Sequence, residues 1–215
     1  MPWIEQLRSA NWSEASWIAL GAYLLGCLTT GYYLVRLRTG QDIRELGSGS
    51  VGAKNVGRVL GWPGFTTVLV SDFAKGACAV WMAQHYTKDD RLVQLALLAV
   101  VAGHVWPVQL LFRGGKGIAT SLGGLLVYDY QLALAFGILF AAAFVVARKT
   151  VLPGLFAFAC LPVVSWYLKP DHAQAVGMSL LAGLILVAHR RNFMEEFSHY
   201  MERRHAHAKH HPPDL

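Results

Sequence analysis

Apolar runs of roughly twenty residues, separated by short polar and basic stretches, dominate this chain. "SWIALGAYLLGCLTTGYYLV" (16–35), "LVQLALLAVVAGHVWPVQLLF" (92–112) and "YQLALAFGILFAAAFVVA" (130–147) stand out. Each is long enough for an α-helix to cross a hydrocarbon core of about 30 Å. A soluble core accommodates one such run; several predict an all-α, polytopic membrane protein. The charge breaks define seven candidate spans, at 17–36, 60–85, 92–112, 117–128, 130–147, 151–168 and 173–188. The fourth is short for a full crossing. Gly and Pro inside several spans are tolerated where neighbouring helices satisfy the freed backbone groups.

The ends read differently. Residues 1–16 set Glu5, Arg8 and Glu14 among Trp3, Ile4, Leu7 and Trp12. This is a pattern for an interfacial segment and not for a cleavable signal peptide. Residues 17–193 form the expected membrane domain, and 194–215 a polar, His-rich tail. The tail's "HAHAKHH" offers metal ligands without ordered carboxylate or Cys partners, so a solvated tail and no metal site are expected. Cys27, Cys78 and Cys160 all fall in apolar segments, where small buried hydrophobes are expected rather than disulfides.

Composition supports the same class, with 54% apolar and only 15% charged residues. The net charge of +6 is no nucleic-acid signature, because the basic residues cluster at span ends. With seven spans, fourteen of the nineteen Lys and Arg residues fall on one face and four on the other, while Lys75 lies inside a span. The positive-inside bias then places the N-terminus outside and the C-terminus in the cytoplasm. Two glycine turns, the Arg148–Lys149 pair and "AHRRN" (188–192) all emerge on that cytoplasmic face.

The first turn, "LGSGSVGAKNVGR" (46–58), resembles a P-loop in the spacing of Gly47 and Gly52, but Lys54 comes one place late and Asn55 follows it. Gly47, Gly49 and Gly52 permit positive φ and a close backbone approach, and successive amides there can form an anion nest. Ser48, Ser50 and Asn55 add short polar groups, and Lys54 and Arg58 add charge. The second turn, Arg113, Gly114, Gly115, Lys116 and Gly117, runs into a helix whose N-terminus favours anions. Taken singly, each turn reads equally well as a basic loop at a membrane surface. Two on one face favour an anion site.

Asp72 and Lys75 lie three apart, on one helical face, and a charge pair inside a span should point into the bundle, whether as a structural pair or as part of a site. His104, in an apolar run before Pro107, reads as a structural histidine. His189 and Asn192 share a face if the last helix continues. At the membrane boundary, His189 can hold phosphate or move a proton.

Together these motifs resemble the bacterial integral-membrane glycerol-3-phosphate acyltransferases that use acyl phosphate, the PlsY family. The family signature G-S-G-N-x-G-A-T-N-x-x-R is matched by Gly47, Ser48, Gly49, Gly52, Ala53, Asn55 and Arg58. D-x-x-K-G is Asp72, Lys75 and Gly76. G-H-x-x-P followed by F-x-G-G-K-G-x-A-T is matched by Gly103, His104, Pro107, Phe112, Gly114 to Gly117, Ala119 and Thr120, and H-x-x-N is His189 and Asn192. The chain departs from the pattern at Ser50 (family Asn), at Lys54 (Thr) and at Val151 (Ser), where Thr150 is adjacent. "FMEEFSHY" replaces the usual basic ending.

The resemblance implies a seven-helix fold and transfer of a fatty acyl group from acyl phosphate to the 1-hydroxyl of glycerol 3-phosphate. Lysophosphatidate and phosphate are the products, with no cofactor, metal or nucleic acid, in a monomer of the bacterial inner membrane. On this reading Arg58, Lys116, His189 and Asn192 hold the acceptor phosphate. Ser48 and the glycine-turn amides cradle the donor phosphate, and the acyl tail lies in an apolar groove. Asp72, Lys75 and His104 support the site. His189 is either the base for the acceptor hydroxyl or a phosphate ligand, with the leaving phosphate taking the proton; its basic neighbours favour the second. Another phosphorylated alcohol as acceptor stays open, and an anion transporter or lipid-binding protein ranks below both.

Overall fold

A computed structural model describes residues 12–190, which contain helices and no strands. In chain order these are α1 (Trp12–Gly26), α2 (Thr30–Thr39), α3 (Ala53–Tyr86), α4 (Asp90–Val105), α5 (Ile118–Tyr128), α6 (Tyr130–Ala147), α7 (Val151–Leu168) and α8 (His172–Ala188), with 3-10 turns at Ile43–Glu45 and Val108–Leu110. Four segments are long and apolar enough to cross a membrane: Trp12–Thr39, Asp90–Leu110, Tyr130–Ala147 and Val151–Leu168. Helices α5 and α8 are apolar but shorter. At 11 residues, α5 is only about 16 Å long.

Two spans differ from the uninterrupted runs that hydropathy predicts. The first is broken at residues 27–29, which frees backbone carbonyls inside the bundle. The Leu28 carbonyl accepts from Lys75 Nζ at 2.8 Å, and the Cys27 carbonyl accepts from Gln109 Nε2. The second begins earlier than its apolar run, because residues 53–60 are already helical. It then turns sharply at Gly61, whose φ of 70° suits glycine, and Pro63 restarts it near a helix N-terminus, where its missing N–H costs nothing. The polar first two turns of α3 are therefore a separate short helix carrying Lys54 and Arg58.

The tightest crossings use glycine. A side chain at Gly76 would strike the Thr120 carbonyl, and one at Gly123 the Phe73 carbonyl, so α3 and α5 pack backbone to backbone. Gly26 and Gly103 do the same for α1 and α4. Small residues are what permit this in lipid, where helices gain little hydrophobic energy from touching. The main core joins Val80, Leu97, Val101, Leu125, Phe158, Leu161, Met178 and Ile185. Of the three cysteines, Cys27 is buried and Cys160 half-buried, but Cys78 is exposed. That corrects the expectation of burial: an apolar helix in lipid has an outer face that hydropathy cannot tell from its inner one.

The helix caps differ between the two ends of the bundle. Helices α4, α6 and α8 start with Asp89, Asp129 and Asp171, whose carboxylates accept from the amides of Arg91 (2.9 Å), Gln131 (3.0 Å) and Ala173 (2.8 Å). Helices α3, α5 and α7 start at the opposite end with Gly52, Gly117 and Thr150, and none of these has a side-chain cap.

Candidate active site

The N-termini of α3, α5 and α7 surround one cavity of about 410 Å³. Its wall takes Gly52 and Ala53 from α3, Gly117 to Ala119 from α5, and Thr150 and Val151 from α7. Early amides of a helix lack intrahelical partners and carry the positive end of the macrodipole. An aspartate cap occupies that position at the far end of the bundle; here it is open. Ser48, Arg58, Lys116 and His189 line the same cavity, so the segments that the sequence places on one face do meet. Asp72 is the only carboxylate among the described residues of the wall. Ser50, Lys54, Asn55 and His104 also line it, and Phe65, Leu69, Leu122, Phe136 and Phe140 form its apolar part.

The first glycine turn is held from within by Asn55. Its Oδ1 accepts from the Ser48 amide at 3.0 Å, and its Nδ2 donates to the carbonyls of Leu46 (2.9 Å) and Ser50 (3.0 Å). Asn55 is 2% exposed, and its amide is fully committed. It shapes the loop that presents Ser48. Gly47 and Gly49 have φ of 55° and 67°; a side chain on Gly47 would meet Asn55 Oδ1. Gly52 instead has φ −75°, so its backbone does not require glycine. Gly47 and Gly49 shape the turn from outside the cavity wall.

Arg44, absent from the sequence expectations, ties this loop to the second turn. Its guanidinium pairs with Asp42 at 2.6 Å, donates to the Leu110 carbonyl at 2.9 Å, and lies over the Tyr32 ring. The guanidinium hydrogen bonds hold the Asp42 carboxyl below its ordinary range, against the opposing effect of burial. The spacing Asp42-x-Arg44, with the Asp side chain capping the Arg44 amide, is the one local signal that could have revealed it.

The second turn is pinned to the end of α4. The Gly114 amide donates to the Val105 carbonyl (3.1 Å) and the Gly115 amide to the His104 carbonyl (3.0 Å). These two amides are therefore spent on the fold. Both glycines are required by space: a side chain on Gly115 would run into the His104 ring, and one on Gly114 into Pro107. Gly117, with φ 81°, then turns the chain into α5 and stays in the cavity wall. The turn thus sets Lys116 at the rim.

Beneath it lies a buried polar triad. Lys75 Nζ donates to His104 Nδ1 and to the Leu28 carbonyl, each at 2.8 Å, and forms an ion pair with Asp72 Oδ1 at 2.8 Å. An ammonium only donates, so His104 Nδ1 accepts, and the His104 ring is neutral with its proton on Nε2. Asp72 Oδ1, 3.4 Å from His104 Nδ1, is paired by Lys75. The Asp72–Lys75 pair points into the bundle as expected, and His104 supports the glycine turn from below.

His189 closes the site at the end of α8 and is 2% exposed. Its Nδ1 lies 2.9 Å from the Ile185 carbonyl; a carbonyl only accepts, so Nδ1 carries the proton. Burial pushes the imidazole below its ordinary value, the Ile185 hydrogen bond opposes this, and the positive charge of Lys116 adds to it. The ring is therefore neutral near pH 7, with the Nε2 lone pair available. Asn192 and the His-rich tail lie outside the described residues.

Known proteins are similar to this chain in sequence and fold. The family described as Glycerol-3-phosphate acyltransferase matches residues 16–199. Glycerol-3-phosphate acyltransferase 1 of Desulfitobacterium hafniense (strain Y51) is 45% identical over 185 residues, 86% of this chain and 92% of its own. The protein of the same name from Bacillus cereus (strain ATCC 14579) is 38% identical over 168 residues, 78% of this chain and 90% of its own. The crystal structure of PlsY (YgiH), an integral membrane glycerol 3-phosphate acyltransferase, in its glycerol 3-phosphate form superposes with a TM-score of 0.78 at 31% identity. That superposition covers 86% of this chain and 92% of the other.

Proposed function

The chain belongs to the glycerol-3-phosphate acyltransferase family, and from that premise we propose that it moves a fatty acyl group from acyl phosphate to the 1-hydroxyl of glycerol 3-phosphate. The products are lysophosphatidate and inorganic phosphate. The observation that carries this reading is the single cavity in which three uncapped helix N-termini, Arg58 and Lys116 face an apolar wall. Such a site accepts phosphate at one end and a hydrocarbon chain at the other.

An acyl phosphate is already activated, so positioning supplies most of the catalysis, a contribution of about 7–11 kcal/mol in well-oriented systems. Arg58 and Lys116 hold the acceptor phosphate, with Asn192 as a further ligand. Ser48 and the open amides of α3 and α5 take the donor phosphate and the charge that develops on the carbonyl oxygen. The acceptor hydroxyl oxygen bonds to the carbonyl carbon, and the bond from that carbon to the phosphate oxygen breaks. The hydroxyl proton passes to His189 Nε2, and from there to the departing phosphate. The tautomer of His189 favours this role, because a neutral ring donating through Nδ1 to Ile185 has only a lone pair to offer the cavity. The basic segments that meet at this rim belong to the cytoplasmic face of the bacterial inner membrane, with the N-terminus outside. The functional unit in this reading is the monomer.

The test is purified protein in detergent with acyl phosphate and glycerol 3-phosphate, following phosphate release and lipid product. Turnover only with an acyl thioester would reject the donor. His189→Gln lowers kcat about 100-fold with little change in acceptor KM. In the wild type, activity is lost as pH falls through the depressed His189 value, so the acid limb lies below the ordinary histidine range near 6.5, and the variant lacks it. A raised acceptor KM with unchanged kcat would make His189 a phosphate ligand only.

A further inference from the structure

One cation at the rim has no part in the scheme above. Lys54 lines the cavity on the first turn of α3, four residues before Arg58 and on the same face. Its Nζ lies 3.4 Å from Thr150 Oγ1, which joins the start of α3 to the start of α7. The position is electrostatically unfavourable on its own. A cation in the first turn faces the positive end of the helix, this turn has no acidic residue, and Arg58 is a like charge one turn away. Thr150 fixes the ammonium without neutralising it, since a hydroxyl contributes a hydrogen bond and no charge. Asp72, the one carboxylate among the described residues of the wall, is already paired with Lys75 at 2.8 Å. Among the described residues the arrangement lacks an anion, and two helix N-termini lie beside it.

Resting on the acyl-transfer reading, we propose that Lys54, tethered by Thr150, is a specificity-determining residue that binds the phosphoryl group of the acyl phosphate. The donor is favoured over the acceptor by the neighbours: Thr150 leads directly into Val151 and Gly154, which with Phe140 belong to the apolar wall along which an acyl chain would run. Lys54 therefore marks the junction between phosphoryl head and hydrocarbon tail.

Steady-state kinetics on the full chain in detergent, with acyl phosphate and glycerol 3-phosphate varied separately, tests this. Lys54→Met raises the acyl phosphate KM about tenfold, the loss of one charge-assisted contact, with kcat and the glycerol 3-phosphate KM within about twofold. Lys54→Arg stays near wild type, and Thr150→Val shows a smaller rise in the same KM. An unchanged donor KM in Lys54→Met, or a rise in the acceptor KM alone, overturns the proposal. Calorimetric titration with inorganic phosphate separates it from the parent reading. If the wild type fails to turn over, the acyl-transfer reading falls, while weaker phosphate binding by Lys54→Met still upholds the site and equal binding rejects it.

Discussion

Replacing Lys116 with Met lowers kcat/KM by about two to three orders of magnitude, with no comparable loss of thermal stability. Lys116 is half-buried at the cavity rim, and its backbone is set by the two hydrogen bonds of Gly114 and Gly115 to the end of α4. The turn therefore survives loss of the side chain. What disappears is a positive charge in a wall of low polarity, where one such group stabilises far more than in water. A second readout follows from His189, whose imidazole Lys116 helps to depress. Without that charge the His189 value rises, and the acid limb of the residual activity moves to higher pH. Steady-state kinetics across pH measures both. A full-strength enzyme, or an acid limb that stays where it was, would remove Lys116 from the site.

The largest loss of stability is expected from Asp72→Asn. Lys75 then remains protonated without its counter-ion, or loses its proton at equal expense; breaking a buried pair by one partner costs about 3–5 kcal/mol. In detergent this lowers the melting temperature by on the order of 10 °C. The double replacement Asp72→Leu with Lys75→Met recovers part of the loss, since no buried charge is left. It does not recover all of it, because the Leu28 carbonyl, which accepts from Lys75 at 2.8 Å, is stranded at a cost of about 1–3 kcal/mol. Thermal unfolding of Asp72→Leu, Lys75→Met and the double gives the coupling directly. Additive effects would mean that the two groups do not act together.

Much of this was legible because lipid leaves the chain few choices. Apolar runs locate the helices, and intramembrane charges find each other, as Asp72 and Lys75 do. The convergence of Ser48, Arg58, Lys116 and His189 follows once the spans and the basic faces are counted. What stayed hidden depends on tertiary contacts. Nothing local says that Asn55 spends its amide on three backbone groups of its own loop, or that Gly114 and Gly115 are needed for the volume of a histidine ring and for two helix-end carbonyls. The break at 27–29 is invisible to hydropathy because its cost is offset from Lys75 and Gln109, 47 and 82 residues away in sequence. The tautomer of His189 is hidden for the same reason. Its basic neighbours suggested a phosphate ligand, whereas the hydrogen bond to Ile185 settles which nitrogen carries the proton. The cap asymmetry, by contrast, was readable all along as Asp89, Asp129 and Asp171 at one end and Gly52, Gly117 and Thr150 at the other.

The aromatic side of the cavity, where Phe136 and Phe140 stack at 6.1 Å, has a kinetic consequence. A reactant whose tail lies along those rings arrives by diffusion in the plane of the leaflet, while its water-soluble co-reactant comes from the bulk. Velocity then follows the mole fraction of the amphiphile in the bilayer or micelle. Diluting the detergent phase at constant total substrate should slow the reaction just as removing substrate does.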